Sequence, residues 1–221
     1  MNAIPLQHLD IYEFFCDPDL IDKVMPEVTG PDILWQKFAD PGPTMHPTLS
    51  RHGYLDEKTS YYNPELFTWI QECVDKVAEK HYGNLKLSIV DSWLTKNQLG
   101  DRPNNHAHNY SVISGLLYFS TFKNSKTIFK YKDPWFNHLP MVDPIRKEVP
   151  IASEKGKLIL WRSDIVHTVE PHSDMKNTRY TLAFNTFFDD VISDYDTARL
   201  QVKVISVKDQ YEKFMKNKGS Q

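Results

Sequence analysis

Two periodicities divide the chain. Between Leu66 and Ala78 the apolar residues Leu66, Phe67, Ile70, Cys73, Val74, Val77 and Ala78 recur every three or four positions, the stripe of an amphipathic helix. Asn63-Pro64 supplies a cap and a first helical position for it, and Gly83 a stop. Asp17-Pro18 repeats the cap signal ahead of Leu20, Ile21 and Val24 and predicts a shorter helix there. From Leu85 the period falls to two, and Leu85-Lys86-Leu87-Ser88-Ile89-Val90, continuing through Trp93, predicts a strand with one apolar face. Further strands are predicted at 112–120, 127–131, 157–161, 166–169, 178–188 and 200–207. No helical pattern separates them, which argues for antiparallel sheets and hence a sandwich or a jelly roll.

The proline-punctuated stretch from Thr29 to Asn63 reads as loop, and 132–149, with Pro134, Pro140 and Pro144, as a surface excursion too long for a hairpin turn. Beyond 208 the tail carries Lys208, Lys213, Lys216 and Lys218 and reads as a solvated, frayed helix. With no repeat or linker, we expect one domain over 1–221: a helical and loop part at 1–84, a β core at 85–207 and a basic tail at 208–221.

Composition narrows the classes. With 40% apolar and 25% charged residues the chain is globular rather than disordered. A formal charge of −3 gives no bulk attraction to nucleic acid or anionic lipid. No apolar run approaches the ~20 residues of a membrane span, and the first residues lack a signal peptide's basic start and apolar run. Cys16 and Cys73, far apart and without a CxxC, exclude a disulfide scaffold and a cysteine zinc site and suit a reducing cytoplasm. Fourteen prolines against eight glycines, with 13% aromatics, suit a β-rich body with stiff connections.

Of the nine histidines, His8, His46, His52, His81 and His138 fall in predicted loops or at helix ends, where a surface imidazole is ordinary. His106 and His108 sit in Asn104-Asn105-His106-Ala107-His108-Asn109, just before a predicted strand. In an extended chain residues two apart project from one face, so both imidazoles can reach a single ion. His167 follows the apolar strand 157–161 and a polar turn. On the strand 178–188, Tyr180, Leu182, Phe184 and Thr186 form a core face, while Arg179, Thr181, Ala183 and Asn185 share the other. A guanidinium there needs a partner. A ligand carboxylate would accept its planar two-point grip, with the Thr181 hydroxyl beside it; an ion pair with Glu170 or Asp174 is the structural alternative.

In order, the HxH, a strand ending Ser114-Gly115-Leu116-Leu117-Tyr118-Phe119, then His167-Thr168-Val169-Glu170-Pro171 and Arg179-x-Thr181 resemble the Fe(II)/2-oxoglutarate-dependent oxygenases. The likeness is greatest to a little-characterised group with the pattern H-x-H…S-G-x-x-Y…H-x-V-x-P…R-x-S/T-x-x-x-N. The prolyl-hydroxylase branch is similar around the distal His and Arg. The resemblance runs from about Trp93 to Phe188 and implies a double-stranded β-helix with the N-terminal helices packed on one sheet. It also implies a hydroxylase-type oxidoreductase that uses Fe(II), 2-oxoglutarate and dioxygen on a small-molecule or peptide substrate. His106 and His167 would be iron ligands; Arg179 and Thr181 would hold the distal carboxylate of 2-oxoglutarate, with Tyr118 matching a tyrosine that contacts it. The pattern departs from the superfamily's usual two-His-one-carboxylate set, because His108 stands where the carboxylate belongs. Either the site is a three-His iron centre, or Asp101 completes it and one histidine braces a ligand from behind. Asn185 and Trp93 are further candidates to brace the ligands or face the substrate.

Three alternatives stay open. Gly100 followed by His106-x-His108 is similar to the start of a cupin metal motif, but no glutamate follows within a few residues and a cupin leaves Arg179-x-Thr181 unexplained. A three-His zinc hydrolase would need a general base that no spacing here provides. In a jelly-roll binding module the histidines would be incidental.

Overall fold

The computed structural model describes residues 10–30, 36–37, 49–52, 63–98, 100, 103–132, 146–171, 176–189, 191–192 and 200–201. In chain order the elements are β1 (Ile11–Phe15), α1 (Pro18–Thr29), β2 (Gln36–Lys37), β3 (Leu49–His52), α2 (Pro64–Tyr82), β4 (Leu87–Asn97) and β5 (Ile113–Tyr118). They continue with β6 (Phe122–Lys132), β7 (Arg146–Ser153), β8 (Lys157–Arg162), β9 (Val166–Val169), β10 (Arg179–Phe188), β11 (Val191–Ile192) and β12 (Leu200–Gln201). A seven-stranded antiparallel sheet runs β1-β8-β5-β10-β4-β3-β2, and a three-stranded sheet runs β7-β6-β9. This is the mainly β double-stranded β-helix expected, with two helices against one sheet. No helix among the described residues is long and apolar enough to cross a membrane.

Both helices begin where the cap signals fall. Asp17 Oδ1 accepts from Asp19 N at 2.9 Å, and Asn63 Oδ1 accepts from Leu66 N at 3.0 Å. Gly83, at φ 62°, ends α2 and donates its N–H to Glu79 O at 3.2 Å. The stripe of α2 (Leu66, Ile70, Cys73, Val74, Val77, Ala78) and that of α1 (Leu20, Ile21, Val24, Val28) bury together. They pack on Leu87, Leu94, Leu117, Leu158, Leu160, Leu182 and Phe184 of the large sheet. Leu87 and Leu94 are seven positions apart, an odd spacing that would put them on opposite faces of a regular strand. The register explains the sharing: Asn185 pairs with Asp91 and Thr186 with Ile89, so Val90 bulges out and the alternation resets.

Several elements lie outside the sequence expectation. β1 is not among the predicted strands, since Ile11, Tyr12, Phe14 and Phe15 show no clean alternation; it is held as an edge by pairing with β8 from Ile11–Trp161 to Phe15–Lys157. β2 and β3 lie in the stretch read as loop and pair onto β4. β7 starts inside the predicted surface excursion; it is the outer strand of its sheet, which is why it tolerates Pro150 and a polar sequence. Of the strand predicted at 200–207 only Leu200–Gln201 is described, and the basic tail lies outside the described residues.

Gly115, in the middle of β5, is crossed by the side chains of Phe184 on β10 and Leu160 on β8. A Cβ built there overlaps Phe184 Cζ and Cε1 and stands 2.8 Å from Leu160 Cδ2. Gly115→Ala is therefore expected to destabilise the fold by about 1–3 kcal/mol, the usual cost of overpacking, read as a lower urea midpoint at unchanged m-value.

Candidate metal centre

The three histidines come together through the main chain. His106 and His167 face each other across an isolated antiparallel bridge: His106 N donates to His167 O at 3.0 Å and His167 N to His106 O at 2.9 Å. Residues exchanging both bonds carry their side chains on the same face of the ladder, and the two rings lie 4.4 Å apart between centroids. On its other side His167 pairs with Phe129 of β6, so the HxH segment extends the small sheet beyond β9. Two residues on, His108 N donates to Ser163 O at 2.9 Å, and its ring returns to the same face, 5.1 Å from both other rings.

Hydrogen bonds fix which nitrogens face inward. His106 Nδ1 lies 2.8 Å from Asn104 O and His167 Nδ1 lies 3.1 Å from Ile165 O. A carbonyl only accepts, so each Nδ1 carries the proton and each Nε2 presents a lone pair. His108 Nε2 stands 3.3 Å from His167 Nε2, and one ligand nitrogen from each of the three rings lies within 4.8 Å of the others. Two imidazole nitrogens about 2.1 Å from one first-row metal ion stand about 3 Å apart at a right angle, so the spacing fits a shared ion. A proton is a poor substitute. Burial, reinforced by the neighbouring His106, lowers His167 to about 3 and His108 to about 4, with Asp91 opposing the shift at His108.

The remaining predicted residues line the same inter-sheet face. Thr181 of β10 sits between Thr95 of β4 and Tyr118 of β5; Ala183 between Trp93 and Leu116; Asn185 between Asp91 and Ser114. Arg179, at 2% exposure, donates through Nη1 to Ser125 Oγ, and Thr181 Oγ1 bonds Thr95 Oγ1. The Tyr118 hydroxyl lies 2.6 Å from Thr127 Oγ1, and burial raises its pKa so that it stays a neutral donor. Trp93 stacks on His108 at 5.6 Å, and Asn185 Oδ1 accepts from Ser114 Oγ at 2.8 Å. Glu170, one of the acids weighed as a partner for Arg179, instead takes the Lys126 N–H on Oε2 at 3.0 Å. Asp174 and Asp101 lie outside the described residues, as do His8, His46 and His138; His81 is a surface residue whose Nε2 meets the Tyr12 hydroxyl at 2.6 Å.

The sequence reading missed the contribution of β6. Ser125, Thr127 and Phe129 alternate along it and meet Arg179, Tyr118 and His167 respectively. Their two-residue spacing was the available signal, but the mixed sequence around it hides which face is polar. Trp161 was missed as well: its ring lies 4.9 Å from His167 in an edge-on contact.

Residues 91–185, which include all three histidines, Tyr118, Arg179 and Thr181, match the model of the family described as "Putative 2OG-Fe(II) oxygenase". No curated protein matches the chain by sequence. Among solved structures, the epimerase SnoN in complex with Fe3+, α-ketoglutarate and nogalamycin RO superposes with a TM-score of 0.64 at 8% identity, over 90% of each chain. A Pseudomonas putida prolyl-4-hydroxylase gives 0.57 at 12% identity, over 81% of this chain and 94% of that one. The Trichoplax adhaerens prolyl hydroxylase, solved with a hypoxia-inducible-factor peptide, gives 0.58 at 16% identity, over 80% and 83%. The structural likenesses establish the double-stranded β-helix fold. With the family match over residues 91–185, the chain carries a 2OG-Fe(II) oxygenase domain. It is an enzyme whose cofactor is Fe(II) and whose co-substrates are 2-oxoglutarate and dioxygen.

The buried imidazoles set a pH dependence for the metal-free protein. In the unfolded chain they bind protons near 6.5, in the folded chain only near 4 and 3. Their contribution to stability is therefore complete above about 6.5 and lost as the pH falls through the folded values. Thermal unfolding of metal-free protein should show Tm falling over that range, and His167→Asn should flatten the slope.

Proposed function

We propose that His106, His108 and His167 form the complete protein ligand set for Fe(II), each through Nε2, and that Arg179, Thr181 and Tyr118 receive the distal carboxylate of 2-oxoglutarate. The convergence of three imidazole nitrogens within 4.8 Å, two of them fixed by Nδ1–carbonyl bonds, carries this reading. Arg179 supports the co-substrate end: it is buried on the same face, with neutral hydroxyls of Ser125, Thr181 and Tyr118 around it.

When bound, iron and 2-oxoglutarate supply oxidative decarboxylation to succinate, coupled to oxidation of a substrate C–H bond. The chain's residues orient and shield. Trp93 and His167 each stack with the His108 ring and restrict its orientation. Phe129, Trp161, Leu116 and Ile159 keep water from the floor. Ala183, between Thr181 and Asn185 on its strand, places only a methyl group on this face. Hydroxylation is the outcome we assign, supported by the prolyl hydroxylases among the structural neighbours. The substrate is a small molecule or a peptide segment. Two free thiols, buried in the core with pKa values raised to about 12 and about 11, favour a reducing compartment, the cytoplasm.

Anaerobically loaded protein should hold about one Fe(II) per chain, measured by metal analysis after desalting. His106→Ala and His167→Ala should lose it, and full retention in both would refute the ligand set. His108→Asp, which restores a carboxylate, should keep the metal, whereas His108→Ala should bind it at least tenfold more weakly.

Succinate should form from 2-oxoglutarate only with iron and oxygen present. Arg179→Lys keeps the charge but loses the planar fork. It should weaken 2-oxoglutarate binding by on the order of 1–3 kcal/mol with iron affinity unchanged. A variant that melts lower with and without 2-oxoglutarate, yet binds it normally, would make Arg179 a structural ion pair.

A further inference from the structure

Trp161 is 3% exposed, and its indole Nε1 has no hydrogen-bond partner. Burying an N–H without an acceptor is unfavourable, and native interiors seldom do it. The place is specific. Trp161 pairs with Ser114 on one side and Ile11 on the other, and its side chain belongs to the cluster of Leu116, Tyr118, Phe129, Ile159 and Ala183 on the pocket face of the large sheet. Its ring stands edge-on to His167 at 4.9 Å and to His108 at 6.3 Å.

We propose that the Trp161 indole N–H holds the keto-acid end of 2-oxoglutarate beside the three histidines, an assignment that rests on the reading of the site given above. The groups near it offer the indole no acceptor: His167 Nδ1 carries the proton it gives to Ile165 O, the Ser114 hydroxyl lies in a network with Ser163 and Asn185, and the inward-facing imidazole nitrogens are the proposed metal ligands. An indole N–H donates only and does not ionise, so it selects an oxygen lone pair rather than a cation. Along β10, Arg179 lies six residues from Asn185, and Asn185 is joined through Ser114 to Trp161 across the sheet. The guanidinium and the indole thus enter the same face from different rows of the large sheet. A substrate entering last would meet the exposed rim first; a residue this buried meets the small anion on the metal. Trp161 is thereby a catalytic residue for co-substrate binding, and Arg179 fixes the other terminus.

The test is equilibrium binding to Mn(II)-loaded protein by calorimetry, with two probes: 2-oxoglutarate, and oxalate, which keeps the metal-chelating end and lacks the distal arm. Trp161→Phe removes the N–H and keeps a packed ring. It should weaken both probes by about tenfold, about 1.4 kcal/mol, without changing Mn(II) affinity. Arg179→Lys should weaken 2-oxoglutarate alone. Wild-type affinity of Trp161→Phe for both probes overturns the assignment while leaving the Arg179 reading intact. Failure of 2-oxoglutarate to bind metal-loaded wild-type protein overturns the site reading and this one with it.

A second measurement covers a Trp161→Phe variant that does not fold. In Zn(II)-loaded, 15N-labelled wild-type protein, the five tryptophans give separate indole N–H signals. These are assigned by replacing the other four one at a time. The Trp161 signal should move downfield on adding oxalate, and its solvent exchange should slow. An unmoved Trp161 signal at saturating oxalate rejects the proposal.

Discussion

Two backbone hydrogen bonds organise the centre: His106 N to His167 O at 3.0 Å and His167 N to His106 O at 2.9 Å. They join segments about sixty positions apart in the sequence and set both imidazoles on one face before any metal is considered. The strand period then delivers His108 as well, since two residues along an extended chain return to the same side. The His108 N–H bond to Ser163 O pins that end to the turn after β8. The ligand set is thus placed by main-chain groups that no side-chain substitution removes. Removing one ligand therefore tests metal chemistry with little disturbance of the frame.

The large sheet divides its labour by face. One face is apolar and buries both helices; the other carries hydroxyls, a guanidinium and aromatic rings towards the small sheet. Burying that many polar groups is tolerable because they pair across the gap. Arg179 reaches Ser125, and Tyr118 reaches Thr127, each bond running from the large sheet to β6. Each such bond contributes only about 1 kcal/mol net, but an unmet buried partner costs more. The polar lining therefore acts as a registration device between the two sheets as well as a binding surface. The same two bonds hold Arg179 and Tyr118 on the face proposed to receive 2-oxoglutarate.

How much of this the sequence disclosed follows from the range of each interaction. α2 was legible because cap, stripe and stop are local, and β5, β8 and β10 because their alternation or apolar runs are clean. The HxH and His167 could be grouped only through the order of motifs, since nothing local says that positions so far apart share a bridge. β1 and β7 were hidden because edge strands owe their form to a neighbour rather than to their own pattern, and the prolines before β7 made its start read as a surface excursion. The Val90 bulge was hidden for the same reason: it appears only when β4 is laid against β10. Thr127, Ser125 and Trp161 are ordinary residues until the second sheet is folded over them, so their parts at the site are tertiary facts.

The charge of the centre follows from its ligands. Burial keeps His108 and His167 neutral at physiological pH, and the metal-binding group found among the described residues contains no carboxylate. Among the described residues, the charge of a divalent ion held there would be softened by imidazole dipoles and by the field of Asp91 on His108. In the usual set with one carboxylate, the protein itself supplies half of the neutralising charge. With the proposed three-imidazole set, the carboxylate at the keto-acid end of 2-oxoglutarate would offset one of the ion's two charges, while the distal carboxylate would face Arg179. Binding of the ion and binding of the dianion then favour each other, and linkage makes the effect reciprocal. In the proposed reading, Arg179 on the same face adds a second attraction for the dianion without being a metal ligand. If the proposed three-His set is complete, the site contributes little negative charge of its own and would hold metal and co-substrate as a pair.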